Sequence, residues 1–295
     1  MRNGVIIIKK DEGMSSFAVV SRVRRIFDVK KAGHTGTLDP LATGVLPVLI
    51  GRAVKASEYM LTSDKHYRAT MLLGVTTDTE DITGAVLTTC EKIPEESEVR
   101  SAIDSMLGES LQTPPMYSAL KVGGKKLCDL ARAGETVERE PRNITVYGIS
   151  AVKINEREYS LDVHCSKGTY IRTLIADIGK KLGVGAVMKA LSRTEASGFS
   201  LADSCTLEEL EKMSAEERDK KILPTETVFR KERSLNLPPF FARLARCGVE
   251  IYLKKINFSA EPFERIKLFD EDGFFALGEV REFENGLAIK PIKQF

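Results

Sequence analysis

One stretch of this chain could carry chemistry by its residue types alone. From Ala32 to Pro47 it reads Ala-Gly-His-Thr-Gly-Thr-Leu-Asp-Pro-Leu-Ala-Thr-Gly-Val-Leu-Pro, with three glycines, two prolines and a single carboxylate, Asp39. Glycine allows backbone conformations closed to other residues, and proline pushes the residue before it toward extended geometry, so Pro40 restricts where Asp39 points. An isolated Asp-Pro pair is commonly only a turn. This run, however, is far longer than the about four to six residues of an ordinary connection, and irregular loops of that length inside a compact chain usually serve function. Such a loop presents its one carboxylate in a fixed direction.

Other chemistries find less support. The five cysteines, Cys90, Cys128, Cys165, Cys205 and Cys247, are odd in number, far apart and without a Cys-x-x-Cys pair. That spacing fits reduced thiols rather than a disulfide framework or a zinc site. His34, His66 and His164 have no metal-ligand spacing. No phosphate-binding Gly-Lys-Ser/Thr motif and no Ser/His/Asp arrangement stands out, which argues against a nucleotide-binding enzyme or a hydrolase. Neither a metal nor a cofactor is expected.

Four separated blocks resemble, in order, the signature of the TruB family of tRNA pseudouridine synthases, which isomerise uridine 55 in the T arm. They are the Asp39 loop; Asp64-Lys65-His66-Tyr67-Arg68, preceded by Lys55; Pro115-Met116-Tyr117-Ser118-Ala119-Leu120-Lys121 with Gly124-Lys125-Lys126-Leu127; and Cys165-Ser166-Lys167-Gly168-Thr169-Tyr170-Ile171-Arg172-Thr173-Leu174. The resemblance implies Asp39 as the catalytic carboxylate and Arg172 as its ion-pair partner. Burial alone would raise an acid's pKa and a neighbouring cation would lower it. Tyr67 matches the tyrosine that stacks on the target uracil and relays its carbon-5 proton. Tyr170 matches a pocket residue hydrogen-bonding near the carboxylate, and Leu191 an apolar wall beneath the base. His34 resembles the histidine that fills the gap left by the extruded nucleotide. Lys121, Lys125 and Lys126 lie where the family has a thumb that closes on the T stem-loop.

The pattern departs from the family in places. Lys10-Asp11 stands where Lys-Pro is usual, and Glu195-Ala196 where Arg and Val are frequent. The chain lacks the extensions and basic tails of guide-RNA-dependent relatives. The resemblance therefore implies a stand-alone, monomeric enzyme acting on tRNA, with no guide RNA, protein partner or membrane. A silent RNA binder on the same scaffold is the main rival, and it would not need Asp39, Tyr67 and Arg172 together.

These residues need elements to hold them. With 295 residues, 42% hydrophobic and 29% charged, the chain can form a main domain with a sizeable core and a small second one. The apolar run Val5-Ile6-Ile7-Ile8 is too short for a signal peptide or a membrane span, so a cytoplasmic protein is expected. Net charge is only +2, but it is unevenly spread. Residues 1–60 carry ten basic against five acidic side chains and residues 121–200 fourteen against nine, whereas 78–109 carry two against nine. Both basic stretches hold motif blocks, as one phosphate-facing side would require.

The apolar run 5–8 predicts a strand, and Ser15 or Ser16 caps a helix whose Phe17, Val20, Val23 and Phe27 recur at helical spacing. Strands are predicted over 45–50, 67–73 and 158–165, and helices over 53–61, 95–106 and from Ile171 to about Gly183. Without regular β-α alternation the expected class is α+β, with a mixed, largely antiparallel sheet. The expected division is a catalytic domain over 1–235, carrying an RNA-clasping insertion at 118–142, and a small β-rich module over 236–295. That module resembles a PUA domain, which in relatives holds the tRNA acceptor side.

Overall fold

The protein is described from a computed structural model covering residues 2–295. Its centre is a nine-stranded sheet whose main path runs Gly4–Lys10, Thr43–Ile50, Ala186–Ala196, Lys65–Leu73, Glu158–Cys165, Arg142–Lys153, Gly108–Gln112. Neighbours on this path are antiparallel except for Thr43–Ile50 and Ala186–Ala196, which run parallel. The mixed, largely antiparallel α+β class read from the sequence is what the chain adopts.

Period two explains the central strands. Along Lys65–Leu73 the buried positions are Lys65, Tyr67, Ala69, Met71 and Leu73, so one face enters the core. Helix Ser16–Ile26 and helix Ile171–Lys181 cover that face, through Val19, Val20 and Val23 of the first and Leu174, Ile175 and Ile178 of the second. Ser15 caps the first helix by accepting from the Ala18 amide at 3.1 Å. Phe17 does not join the buried face; it is 75% exposed. The helix turns Ser16 inward instead, onto the backbone of Leu38. The segment 53–61 also differs from expectation: a 3-10 turn, Gly51–Ala56, precedes the short helix Ser57–Leu61.

A second, five-stranded sheet follows in the order Arg233–Asn236, Arg265–Asp270, Gly273–Phe283, Gly286–Gln294, Ile251–Tyr252, and it forms a β-rich half-barrel. Arg233–Asn236 pairs in parallel with Arg265–Asp270, so the expected division at 235 falls inside a strand of the second sheet. Leu277 and Phe295 pack into a cluster with Val5, Ile7 and Leu49, which seats this module against the far face of the first strands. Lys293 pairs with Glu58 at 2.6 Å across the same seam.

Candidate active site

Contacts on both sides of Asp39 fix its loop. The Leu38 amide donates to Ser16 Oγ at 2.9 Å and that hydroxyl donates back to the Leu38 carbonyl at 3.1 Å. The Pro40 carbonyl accepts from the Gly13 amide at 2.8 Å and from Lys10 Nζ at 3.2 Å, and the Ala42 amide closes a turn onto the Asp39 carbonyl at 3.0 Å. Lys10 is fully buried, and burial pushes its amine down to about 8. Downstream, Gly44 has φ +103°, and a Cβ there would meet the Arg193 carbonyl oxygen at 2.2 Å. Only glycine lets the loop lie this close to the neighbouring strand.

Arg172 enters from the first turn of Ile171–Lys181. The preceding residue, Tyr170, is clamped by Gln112, whose Oε1 accepts from the Tyr170 amide at 2.8 Å while its Nε2 donates to the Tyr170 carbonyl at 3.0 Å. Arg172 is 3% exposed. Its Nε meets Asp39 Oδ2 at 2.9 Å, and its Nη1 and Nη2 donate to the Thr79 and Tyr117 carbonyls, each at 2.8 Å. A second carboxylate, Asp81, lies 3.7 Å from Nη1. The ion pair anticipated from the sequence is therefore formed, within a larger set of partners.

Arg172 does not dominate the ionisation of Asp39. Burial raises the carboxyl above its ordinary value, Asp81 adds to the rise, and Arg172 and Lys10 oppose it. The Asp39 side chain keeps 35% of its surface open, so a substrate can reach it.

The opening is a cleft of about 540 Å³. Asp39, Tyr67, Tyr170, Leu191 and His34 all line it, together with Arg172. Tyr67 is 8% exposed, and burial raises its phenol while nearby Arg193 opposes the rise. Leu191 faces the cleft from Ala186–Ala196, in register with Ala69. His34 ends the short strand Ala32–His34; its Nδ1 is buried with no hydrogen-bond partner among the described residues, and burial lowers its imidazole. Lys121, Lys125 and Lys126 are not brought into the cleft. They sit on an exposed hairpin beside the helix Leu127–Arg132, while Ser118, Ala119 and Leu120 at the hairpin's root line the cleft wall.

This arrangement decides the chain's kinship. A model described as TruB family pseudouridylate synthase (N terminal domain) matches residues 24–171, and one described as tRNA pseudouridylate synthase B C-terminal domain matches 172–230. The chain belongs to the TruB family. It is similar to a "tRNA pseudouridine synthase B" of Clostridium tetani, 42% identical over 94% of this chain and 95% of the relative. The proteins of the same name from Burkholderia pseudomallei (41%, covering 97% and 95%) and Alkaliphilus oremlandii (51%, covering 71% and 70%) are also similar. Among solved structures, a chain in "Crystal Structure of a Cbf5-Nop10-Gar1 Complex" superposes with a TM-score of 0.70 at 25% identity, covering 99% of this chain and 84% of that one. As a TruB family member the protein is a pseudouridine synthase, an isomerase.

Several cleft groups went unread in the sequence. Lys65, within the run Asp64-Lys65-His66-Tyr67-Arg68, and Arg193, two residues after Leu191, both line the cleft, and Asp81, Thr79 and Gln112 hold Arg172 or its neighbour. The signal for the first two was present. Lys65 shares the buried parity of Tyr67, and Arg193 shares that of Leu191, so period two already aimed both charges inward.

Proposed function

We propose that this TruB family chain converts uridine 55 in the T arm of tRNA to pseudouridine, as a monomer without guide RNA or protein partner. The observation that carries the reading is the Asp39 carboxylate, held on Arg172 at 2.9 Å and still open to a cleft large enough for one nucleobase. The names of the relatives support tRNA as the substrate.

The reaction breaks the bond from ribose C1′ to uracil N1, turns the base, forms a bond from C1′ to C5, and moves a proton from C5 to N1. It is redox-neutral and consumes nothing. Ionised Asp39 starts it, by adding to the ribose or the base or by assisting a glycal. Tyr67 stacks on the uracil and relays the C5 proton, and Leu191 walls the base from below. Aromatic faces hold an extruded base well, and a phenol adds a polar handle. Tyr170 hydrogen-bonds near the carboxylate, and His34 stacks into the gap that the nucleotide leaves. The hairpin lysines Lys121, Lys125 and Lys126 clasp the T stem, and the C-terminal sheet acts as a PUA-like module on the acceptor side.

Position is tested by carbodiimide modification and primer extension on an unmodified tRNA transcript treated with the protein. A single stop one nucleotide 3′ of position 55, lost in a transcript carrying cytidine at 55, is expected. A stop elsewhere, with 55 unmarked, overturns the assignment.

A further inference from the structure

Among the described residues two buried cations that line the cleft have no carboxylate within salt-bridge distance. Lys65 is 7% exposed and Arg193 1%. Lys65 Nζ donates to the Ser63 carbonyl at 2.5 Å. Arg193 Nε donates to the Val45 carbonyl at 2.8 Å and Nη2 to the Gly36 carbonyl at 3.2 Å. Among the described residues neither makes a salt bridge. Carbonyl oxygens satisfy some of the donors but leave both charges uncompensated, and an uncompensated buried charge is costly. A fold that keeps two of them side by side has a place for an anion.

The two charges converge. A Cβ on Gly36 would lie 3.5 Å from Arg193 Nη1 and 3.8 Å from Lys65 Cε, so both reach the same point above this glycine. Among the described residues Arg193 Nη1 donates to no backbone carbonyl, the Tyr67 phenol being the side chain that the guanidinium meets, and Lys65 Nζ has further protons to donate. Both residues line the cleft, whose lining also includes the exposed Leu61 and Gly168.

We propose that Lys65 and Arg193 form a cradle for a backbone phosphate of the flipped nucleotide. The inference rests on the RNA-directed reading of this cleft and adds to it the group that fixes the nucleotide's backbone while its base is turned. A phosphodiester supplies what a uracil carbonyl does not, a full negative charge and two oxygens for two adjacent cations. Asp39 and Arg172 then act on the sugar and base, and the cradle grips the chain that carries them.

The ionisation of Lys65 agrees with this geometry. Burial pushes its amine down to about 8, Arg193 and Lys167 push the same way, and Cys165 and Asp64 oppose them. Free Lys65 thus loses its proton through the pH range just above neutrality, and an arriving phosphate restores it. RNA affinity should weaken as pH rises through about 8.

The test measures binding of unmodified tRNA transcript by full-length Asp39→Asn protein, so that no turnover intrudes, with a Lys65→Met and a Lys65→Arg version beside it. A thermal melt confirms that each is folded. Lys65→Met should make the plot of log affinity against log salt shallower by about 0.7 to 0.9, the share of one phosphate contact, and Lys65→Arg should restore the slope. The parent should lose affinity between pH 7 and 9, and Lys65→Arg should not. An unchanged slope in folded Lys65→Met, or equal pH dependence in Lys65→Arg, overturns the cradle. Should the enzyme with Asp39 intact leave uridine 55 unmodified while Lys65 still sets the slope, the assignment of position fails and the cradle stands.

Discussion

Arg172 and Arg193 are both buried, both line the same cleft, and are answered differently. Arg172 faces two carboxylates, Asp39 at 2.9 Å and Asp81 at 3.7 Å, and fills its remaining donors with two carbonyls. Arg193 meets two carbonyls and the Tyr67 phenol, and makes no salt bridge among the described residues. The first arginine is engaged inside the protein, where it holds the Asp39 carboxylate and opposes the rise in its pKa. The second, with Lys65, leaves a positive field directed at the cleft. In the proposed reading Arg172 prepares the acid, while Lys65 and Arg193 leave positive charge in the cleft that suits an RNA backbone.

The contrast breaks most visibly at Arg172. Arg172→Met should cut kcat by about 10²- to 10³-fold, the range found when one preorganised electrostatic contact is removed. It should also move the acidic limb of the kcat/KM profile upward. In the wild type that limb is expected above the ordinary carboxylate range, because burial raises Asp39 and Asp81 adds to the rise. Removing the cation takes away a charge that holds the carboxyl down. A limb that stays in place in Arg172→Met would show that Arg172 positions Asp39 without tuning it.

A smaller effect sharpens the other side of the comparison. Lys65 titrates near 8 when folded and about two units higher when unfolded, so the folded state disfavours its charged form. The penalty is fully present below pH 8 and fades as pH rises toward the unfolded value, since the unfolded chain binds the extra proton in that window. Lys65→Met should therefore stabilise the RNA-free protein at pH 7 by about 1 to 3 kcal/mol, a shift of several degrees in Tm, and the gain should shrink by pH 10. A loss of stability at pH 7 would mean that the lysine is needed for packing.

The sequence carried the site better than it carried the site's surroundings. Asp39, Tyr67, Arg172 and Leu191 are legible because each sits in a distinctive run, and the strand and helix that hold Tyr67 and Arg172 follow from period two and from the apolar spacing of Ile171, Leu174, Ile175 and Ile178. Asp81 and Thr79 were not legible, because their approach to Arg172 depends on how the 78–84 loop packs against a helix about ninety residues later. Phe17 misled for a related reason. Its spacing fits the buried face, but a tertiary bond from Ser16 to Leu38 sets the helix rotation and turns Phe17 outward. The strand boundary at Arg233–Asn236 was hidden because its partner, Arg265–Asp270, is distant in sequence.

The central claim is that the one accessible carboxylate held by Arg172 performs the isomerisation. Tritium release from tRNA transcript labelled at uracil carbon 5, followed in a single turnover with wild type and with Asp39→Asn at equal bound RNA, tests it directly. The account expects label to be released by the wild type and none above background by the variant, with RNA still bound. Release by folded, RNA-bound Asp39→Asn at a rate near the wild type's would contradict it.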